Sequence, residues 1–223
     1  MKYDLHPSLE LRKLFEAKPY QGQEPQKAKV LIVGNDANYS PDISTHNFFQ
    51  RILEYHADGV GFWKTHMKHH PFLLAEYPFD KRQGGVRYHR NFSKMLFPSE
   101  YAECFSFVEL LNVPTIGNTG DNKGKFFELL DRNHLDWLEC IILDGEKKFV
   151  VVNQTLSNSI KEIQKRLGVF KRLGRIMDGK KAPSIILEND SVLLYYGYSL
   201  SYSITDQYLK SLRDQIDAQI LLK

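Results

Sequence analysis

Cysteine is nearly absent from this chain, since only Cys104 and Cys140 occur among its 223 residues. Two cysteines exclude a disulfide framework, and they exclude a zinc or iron–sulfur site built from four cysteines of one chain. The sequence therefore predicts a protein of a reducing compartment.

Long apolar runs are missing as well. No stretch approaches the roughly 20 residues of a membrane-spanning helix, and the start lacks a signal-peptide pattern. We therefore expect a soluble, cytoplasmic protein. The net charge of +3 is small, so the overall balance permits a polyanionic partner without requiring one.

Strand-like and helix-like segments alternate along the chain. The predicted strands are residues 29–34, 104–111, 148–152 and 192–196, with a short one near Ile185, and the predicted helices are residues 7–17, 48–56, 123–130, 134–143, 156–173 and 205–222. Residues 18–28 are predicted to be a connector and residues 57–90 an irregular region. The alternation favours a single α/β domain over 1–223, a three-layer sandwich with helices on both faces of a mainly parallel sheet of about four strands.

The first predicted strand, residues 29–34, ends on a polar turn. Its apolar run is typical of a strand covered on both faces, and ligands bind just past the carboxyl ends of such strands. Four side chains there are candidates for a site: Asn35, Asp36, Asn38 and Tyr39. An alternative stays open, because an aspartate after a strand-ending glycine can simply cap a helix.

Basic residues cluster in the predicted insertion at residues 57–96. The cations between residues 61 and 96 are Lys64, Lys68, Lys81, Arg82, Arg87, Arg90 and Lys94, against two acids, Glu76 and Asp80. Aromatic residues lie between them, so the segment predicts a nucleic-acid groove, with Lys64, Arg87 and Arg90 as candidate contacts. Alternatively, the aromatics only hold a long loop against the domain.

Two other polar clusters have plainer interpretations. The basic residues between positions 161 and 181 are best explained as a solvated surface. His66, His69 and His70 match no metal-binding signature, so we expect them to face solvent or to bond to backbone, and we predict no metal site.

From about Lys29 to the carboxyl terminus, the order of these pieces resembles the uracil-DNA glycosylase superfamily. Members follow their first strand with Gly-x-Asp-Pro or Gly-x-Asn-Pro, and this chain has Gly34-Asn35-Asp36-Ala37. The resemblance implies that Asp36 is the water-activating carboxylate, with Asn35 beside it in the catalytic turn.

The middle motifs of the superfamily have counterparts too. Residues 107–115 resemble the strand that ends in Leu-Leu-Asn, which places Asn112 on the asparagine that reads uracil, and Phe49 falls on an aromatic that stacks on the base. Core packing for Phe49 and strand capping for Asn112 are the alternatives. Residues 61–64 and residues 90–92 each resemble the segment before the second strand, and the choice between them stays open.

The last motif departs most from the superfamily. Members have His-Pro-Ser-Pro or Asn-Pro-Ser, whereas here Gly197 replaces the histidine or asparagine and the prolines are gone. Ser199 matches the phosphate-binding serine, with Ser201 beside it, and Leu200 or Tyr202 matches the wedge that enters DNA. The lost donor to the departing base has candidate substitutes in Tyr198 and in a loop histidine.

The resemblance implies hydrolysis of the N-glycosidic bond of uracil, or of another damaged or mismatched base, in DNA. It implies no metal or organic cofactor, and DNA as the partner. Two alternatives remain at this stage: a non-catalytic nucleic-acid-binding module, and a protein that binds or transforms a nucleoside or another small molecule. The target base, the strandedness of the DNA and the oligomeric state stay open.

Overall fold

The computed structural model describes residues 2–80 and 85–221. Lys81 and Arg82 of the basic cluster, and Leu222 at the predicted end of the closing helix, lie outside the described residues. The described strands are β1 (Asp4–Leu5), β2 (Tyr20–Gly22), β3 (Val30–Gly34), β4 (Ala37–Asn38), β5 (Phe105–Glu109), β6 (Pro114–Ile116), β7 (Lys148–Asn153), β8 (Ser184–Glu188) and β9 (Val192–Gly197). The described α-helices are α1 (Leu9–Ala17), α2 (Phe49–Ala57), α3 (Gly59–His66), α4 (Val86–Ser93), α5 (Lys123–Glu128), α6 (Arg132–Leu143), α7 (Gln154–Leu167), α8 (Lys171–Met177) and α9 (Asp206–Leu221).

The fold is mixed α/β, around a main sheet with the strand order β2-β5-β3-β7-β9-β8. The central strands β5, β3, β7 and β9 run parallel, while β2 and β8 are antiparallel to their neighbours at the two edges. The predicted parallel core is therefore confirmed, and the antiparallel edges make the sheet mixed.

The central strands are buried on both faces because their apolar residues point alternately to opposite sides. In β3, Leu31 and Val33 join one hydrophobic cluster, whereas Val30 and Ile32 join another on the opposite face. The first cluster includes side chains from α5, α6, α7 and α8, and the second includes side chains from α3, α4 and α9. Helices thus pack against both faces of the sheet.

A second, small sheet positions the polar turn after β3. It has the order β1-β6-β4, with β1 antiparallel and β4 parallel to β6. Asn38 pairs with Thr115 in this sheet, and the backbone amide of Tyr39 donates to the carbonyl of Thr115 over 2.9 Å. The residues after β3 are therefore fixed by backbone hydrogen bonds and do not form a free loop.

The prediction of an irregular region over residues 57–90 is wrong. The segment contains α3, the start of α4 and a 3-10 helix at Pro71–Leu73. Its large aromatic side chains are core residues, since Phe62, Trp63 and Phe72 are each at most 5% exposed. The alternative explanation therefore holds for these three aromatics, which fix the segment to the domain.

Two smaller predictions also need correction. The connector at residues 18–28 contains the edge strand β2, and the helix predicted over residues 156–173 is divided into α7 and α8. The division falls at Gly168, whose φ of +69° is a left-handed conformation that ends α7. No helix within residues 2–80 and 85–221 is long and apolar enough to cross a membrane.

Candidate functional site

A polar pocket of about 220 Å³ opens at the carboxyl ends of the central strands. Polar side chains from the ends of β3, β5 and β7 meet there with the loop after β9. The titratable and amide side chains that line it are Gln21, Asn35, Asp36, Asn38, Tyr39, His70, Tyr88, His89, Glu109, Asn118 and Asn153, together with the hydroxyls of Thr119, Ser199 and Ser201. The turn that the sequence predicts as a site therefore lines a pocket in the structure.

Asp36 lines this pocket and accepts hydrogen bonds from three hydroxyl groups. Thr115 Oγ1 donates over 2.5 Å and Tyr3 Oη over 3.3 Å to Oδ2, and Thr119 Oγ1 donates over 3.4 Å to Oδ1. Burial raises the pKa of Asp36, and these hydroxyls oppose part of the rise because they stabilise the carboxylate. The aspartate caps no described helix, so the capping alternative does not apply.

Of the three polar residues next to Asp36, one has a side-chain oxygen without a hydrogen-bond partner among the described residues, and the other two are hydrogen-bonded to other parts of the protein. Asn35 Oδ1 is buried without a hydrogen-bond partner among the described residues, so it is an acceptor that these residues leave unpaired. Asn38 Nδ2 donates to the carbonyl of Gly117 over 2.8 Å, and the Tyr39 hydroxyl accepts from Gln21 Nε2 over 2.7 Å. Asn38 and Tyr39 therefore shape the pocket through bonds they already make.

Glu109 is a second acid in the pocket, which the sequence analysis did not identify. It is the last residue of β5, in register with Gly34 on β3. A Cβ atom at position 34 would collide with the Glu109 carboxyl group, so the carboxyl group lies directly against the Gly34 backbone. Burial, and then repulsion from Asp36, raise the pKa of Glu109 well above its usual value.

Two histidines also line the pocket. The rings of His70 and His89 stack with centroids 3.6 Å apart, and His89 Nδ1 lies 3.1 Å from His69 Nε2. Burial lowers the pKa of His89 to about 3 and that of His70 well below its usual value, so both rings are neutral near pH 7. His70 Nδ1 accepts from the backbone amide of Phe72, which leaves the His70 ring proton on Nε2.

The expectation that the three histidines face solvent or bond to backbone is met by His70, whose Nδ1 accepts from the Phe72 amide. It is wrong for His69, which is buried and bonds to His89. His69 and His70 are at most 4% exposed, whereas His66 lies apart and pairs with Glu54 over 2.7 Å. Across residues 2–80 and 85–221, no group of three His, Cys, Asp or Glu side chains is arranged to hold a metal ion.

Asn153, at the end of β7, is another pocket residue that the sequence analysis missed. Its Oδ1 accepts from the backbone amide of Leu156 and thereby caps α7. The Nδ2 group makes no described hydrogen bond and is available to a ligand. The signal was present, because Asn153 follows a buried strand as directly as Asn35 does.

Of the residues predicted in the loop after β9, Ser199 and Ser201 line the pocket, and Tyr198 and Leu200 do not. Leu200 is 4% exposed and packs in the core, so its side chain is no surface wedge in this structure. Tyr198 packs on Tyr208 outside the pocket. A Cβ at Gly197 would collide with the Tyr208 hydroxyl, so no larger side chain fits there.

Two predicted substrate residues lie away from the pocket. Phe49 is 4% exposed in a hydrophobic cluster with residues of α1 and α2, so its core-packing alternative is the one observed. Asn112 lines a separate surface groove with Asp131 and Trp137. The physical reason is that β5 ends at Glu109, three residues earlier than a strand ending at Asn112 would require.

A larger basic cleft of about 740 Å³ lies on the other side of α4. Its exposed cations are Lys68, Arg87, Arg90 and Lys94. Tyr202, which is 61% exposed, and Phe72 also line it, and Phe72 borders the polar pocket too. The cleft and the pocket are therefore neighbours. Lys64 lies elsewhere, in an ion pair with Glu103.

Asn91 on α4 connects the cleft to the loop after β9. Its Nδ2 donates to the carbonyls of Leu200 and Tyr202, over 2.7 Å and 2.9 Å. Because the asparagine is buried, these bonds fix the loop between the cleft and the pocket.

The site thus combines an ionisable pair of acids, neutral ring and amide donors and one unsatisfied acceptor, beside a cationic surface. Such a set can bind a small polar planar group while a carboxylate acts on its attachment point. In comparison with known proteins, this chain matches no protein-family model and no curated protein.

Proposed function

We propose that this protein hydrolyses the N-glycosidic bond of a base in DNA, as a divergent relative of the uracil-DNA glycosylases. The observation that carries the proposal is the position of Asp36, in a small polar pocket that shares Phe72 in its lining with a neighbouring basic cleft. The parallel core with helices on both faces is consistent with the three-layer α/β/α sandwich of that superfamily.

The size of the pocket favours a single base as its occupant. At about 220 Å³ it is smaller than the roughly 300–1,000 Å³ of pockets for drug-sized ligands. A base that has left the helix stack fits this volume while its phosphates stay outside, next to the cations of the cleft. Tyr202 is exposed in that cleft, where it can stack on or separate neighbouring bases.

Asp36 supplies the hydrolytic step. Ionised, it accepts a proton from water and balances the positive charge that develops on the sugar as the bond to the base breaks. The three hydroxyl donors hold its carboxylate in one orientation. Because burial raises its pKa, we expect the rate to rise with pH as Asp36 ionises.

Donors for the departing base come from other positions than in the superfamily. Gly197 has no side chain, and the Tyr208 hydroxyl fills the space beside it. His70 Nε2 and Asn153 Nδ2 line the pocket without described partners, so they take the place of the missing histidine or asparagine.

The test is incubation with labelled oligonucleotides that contain uracil, hypoxanthine or a mismatch, followed by alkali to break the strand at abasic sites. We expect breaks with the wild type and a loss of at least about 10²-fold in Asp36→Asn. The matched control is Asp42→Asn, because Asp42 is an exposed acid shortly after β4 that does not line the pocket. Melting curves of both variants check that they fold.

Other outcomes would overturn the proposal. Salt-dependent DNA binding without base release would identify a non-catalytic binding module. Tight binding of a free nucleoside, with no affinity for DNA, would identify a small-molecule site.

A further inference from the structure

Glu109 and Asp36 differ in their partners although they share one pocket. Asp36 accepts hydrogen bonds from Thr115, Tyr3 and Thr119. The Glu109 carboxyl group has neither a hydrogen bond nor a cationic partner within residues 2–80 and 85–221. When two neighbouring carboxyl groups share one proton, the proton stays on the group that is less well solvated. The proton of this pair therefore belongs to Glu109.

The surroundings of Glu109 support the same assignment. The Gly34 backbone lies against its carboxyl group. Nearby are the tyrosines Tyr39 and Tyr88, whose pKa values are raised first by burial and then by the charge of Glu109. Both tyrosines therefore stay neutral, so they place no charge beside Glu109 that would favour its ionised form. A neutral carboxylic acid thus faces the pocket beside an ionised one.

We propose that Glu109 is the general acid that protonates the departing base, and that the substrate is a purine such as hypoxanthine. This inference rests on the proposed function. Uracil can leave as a stabilised anion that needs only hydrogen bonds, whereas a purine is a poor leaving group until it gains a proton. A dedicated acid in the pocket is useful only for the second kind of base.

The C1′–N bond breaks and its electron pair goes to the base, which takes the proton from Glu109 and leaves neutral. Water adds to C1′ as it gives its proton to Asp36. Glu109 is then a carboxylate and Asp36 a carboxylic acid, and exchange with solvent restores the original pair.

Glu109→Gln tests the assignment, because the amide has nearly the same size and cannot give up a proton. We expect release of hypoxanthine to fall by about 10²–10⁴-fold. Release of 5-fluorouracil, whose anion is more stable than that of uracil, should fall less than tenfold. The wild type should release hypoxanthine more slowly at alkaline pH, because Glu109 ionises there, and Glu109→Gln should not show this loss of rate. The matched control is Glu100→Gln, at an exposed glutamate away from the pocket.

A second measurement does not depend on activity. Carbon NMR of protein labelled at the glutamate carboxyl carbons should show one signal that is protonated at pH 7, and that signal should be missing in Glu109→Gln. An ionised Glu109 at pH 7 would overturn the proposal, as would an equal loss of rate for hypoxanthine and 5-fluorouracil. Wild-type protein that releases no base would instead refute the proposed function, and this inference with it.

Discussion

At the scale of single residues, the sequence identified one half of the acidic pair. Asn35 and Asp36 were predictable because a buried strand ends directly before them, and the ends of parallel strands form binding edges. Glu109 was not, since it is followed by Leu110 and Leu111, which are buried and extend the apolar pattern past the true end of β5. The same two leucines made Asn112 look like the residue at the strand end.

The packing of Gly34 against Glu109 gives a residue-scale prediction. Gly34→Ala should destabilise the fold by about 1–3 kcal/mol, because the new methyl group must displace the Glu109 carboxyl group. The three atoms nearest to that methyl position all belong to the Glu109 side chain. Gly34→Ala should therefore lower the free energy of unfolding much less when Glu109 is also replaced by alanine. Urea unfolding of the two single variants and the double variant measures this coupling.

Additive effects of the two changes would contradict the packing argument. Gly120→Ala serves as the matched control, since its methyl group would meet only Asn118, at 3.2 Å or more. Its cost should not depend on the residue at position 109.

At the scale of elements, the strands β3, β5, β7, β8 and β9 and most helices followed the hydrophobic pattern, whereas α3 and α4 did not. Helix α4 buries Val86, His89 and Phe92 at helical spacing, but a histidine in the middle hides the apolar stripe. Helix α3 starts with two glycines, which have low helix propensity and usually indicate a loop. Tertiary packing of Trp63 and Phe92 on the sheet outweighs these local signals.

The basic cleft also gives an element-scale prediction, because α4 contributes Arg87 to it and the segment after α3 contributes Lys68. Changing Lys68 and Arg87 together to alanine should weaken DNA binding for every sequence. Removing two phosphate contacts should reduce the slope of log affinity against log salt by about 1.5. Fluorescence anisotropy over a salt series measures that slope.

Lys64→Ala is the control for this prediction. Lys64 is also an exposed lysine of the basic segment, but it pairs with Glu103 and does not line the cleft. Its loss should leave the slope unchanged. Equal effects of Lys64→Ala and of the double variant would show that the cleft is not the binding surface.

At the scale of the whole molecule, the sequence pattern predicts the parallel core but not the small sheet, and the net charge does not predict the basic cleft. The net charge of +3 gives no hint of a basic cleft, because the cleft depends on where α4 and its flanking segments place Lys68, Arg87, Arg90 and Lys94. The pattern of strands predicted the parallel core, but not the small sheet, whose two- and three-residue strands carry no periodic signal.

Buried histidines give a prediction about the stability of the whole fold. Burial lowers the pKa of His56 to about 4 and that of His89 to about 3, below the unfolded value of about 6.5. The folded state binds fewer protons than the unfolded state between these values. The stability that these two neutral histidines contribute is therefore fully present above about pH 6.5. It is lost as the pH falls towards their folded pKa values, by up to about 1.4 kcal/mol per pH unit for each histidine.

His56→Phe isolates one of these contributions. His56 Nε2 is buried without a described partner, and its ring packs against Phe15 at 4.8 Å, so phenylalanine should fit. The variant should gain more stability at pH 5 than at pH 7.5 in urea unfolding. An equal gain for His56→Phe at both pH values would contradict the account of burial.

The most direct test of the central claim is the mass of a DNA strand after a single turnover in water labelled with oxygen-18. If the Asp36 pocket hydrolyses the N-glycosidic bond, the wild type should convert the strand to one that has lost the base and gained a labelled oxygen at C1′. Asp36→Asn should leave the strand intact. An unchanged strand with the wild type for every base tried, or full conversion by Asp36→Asn, would contradict it.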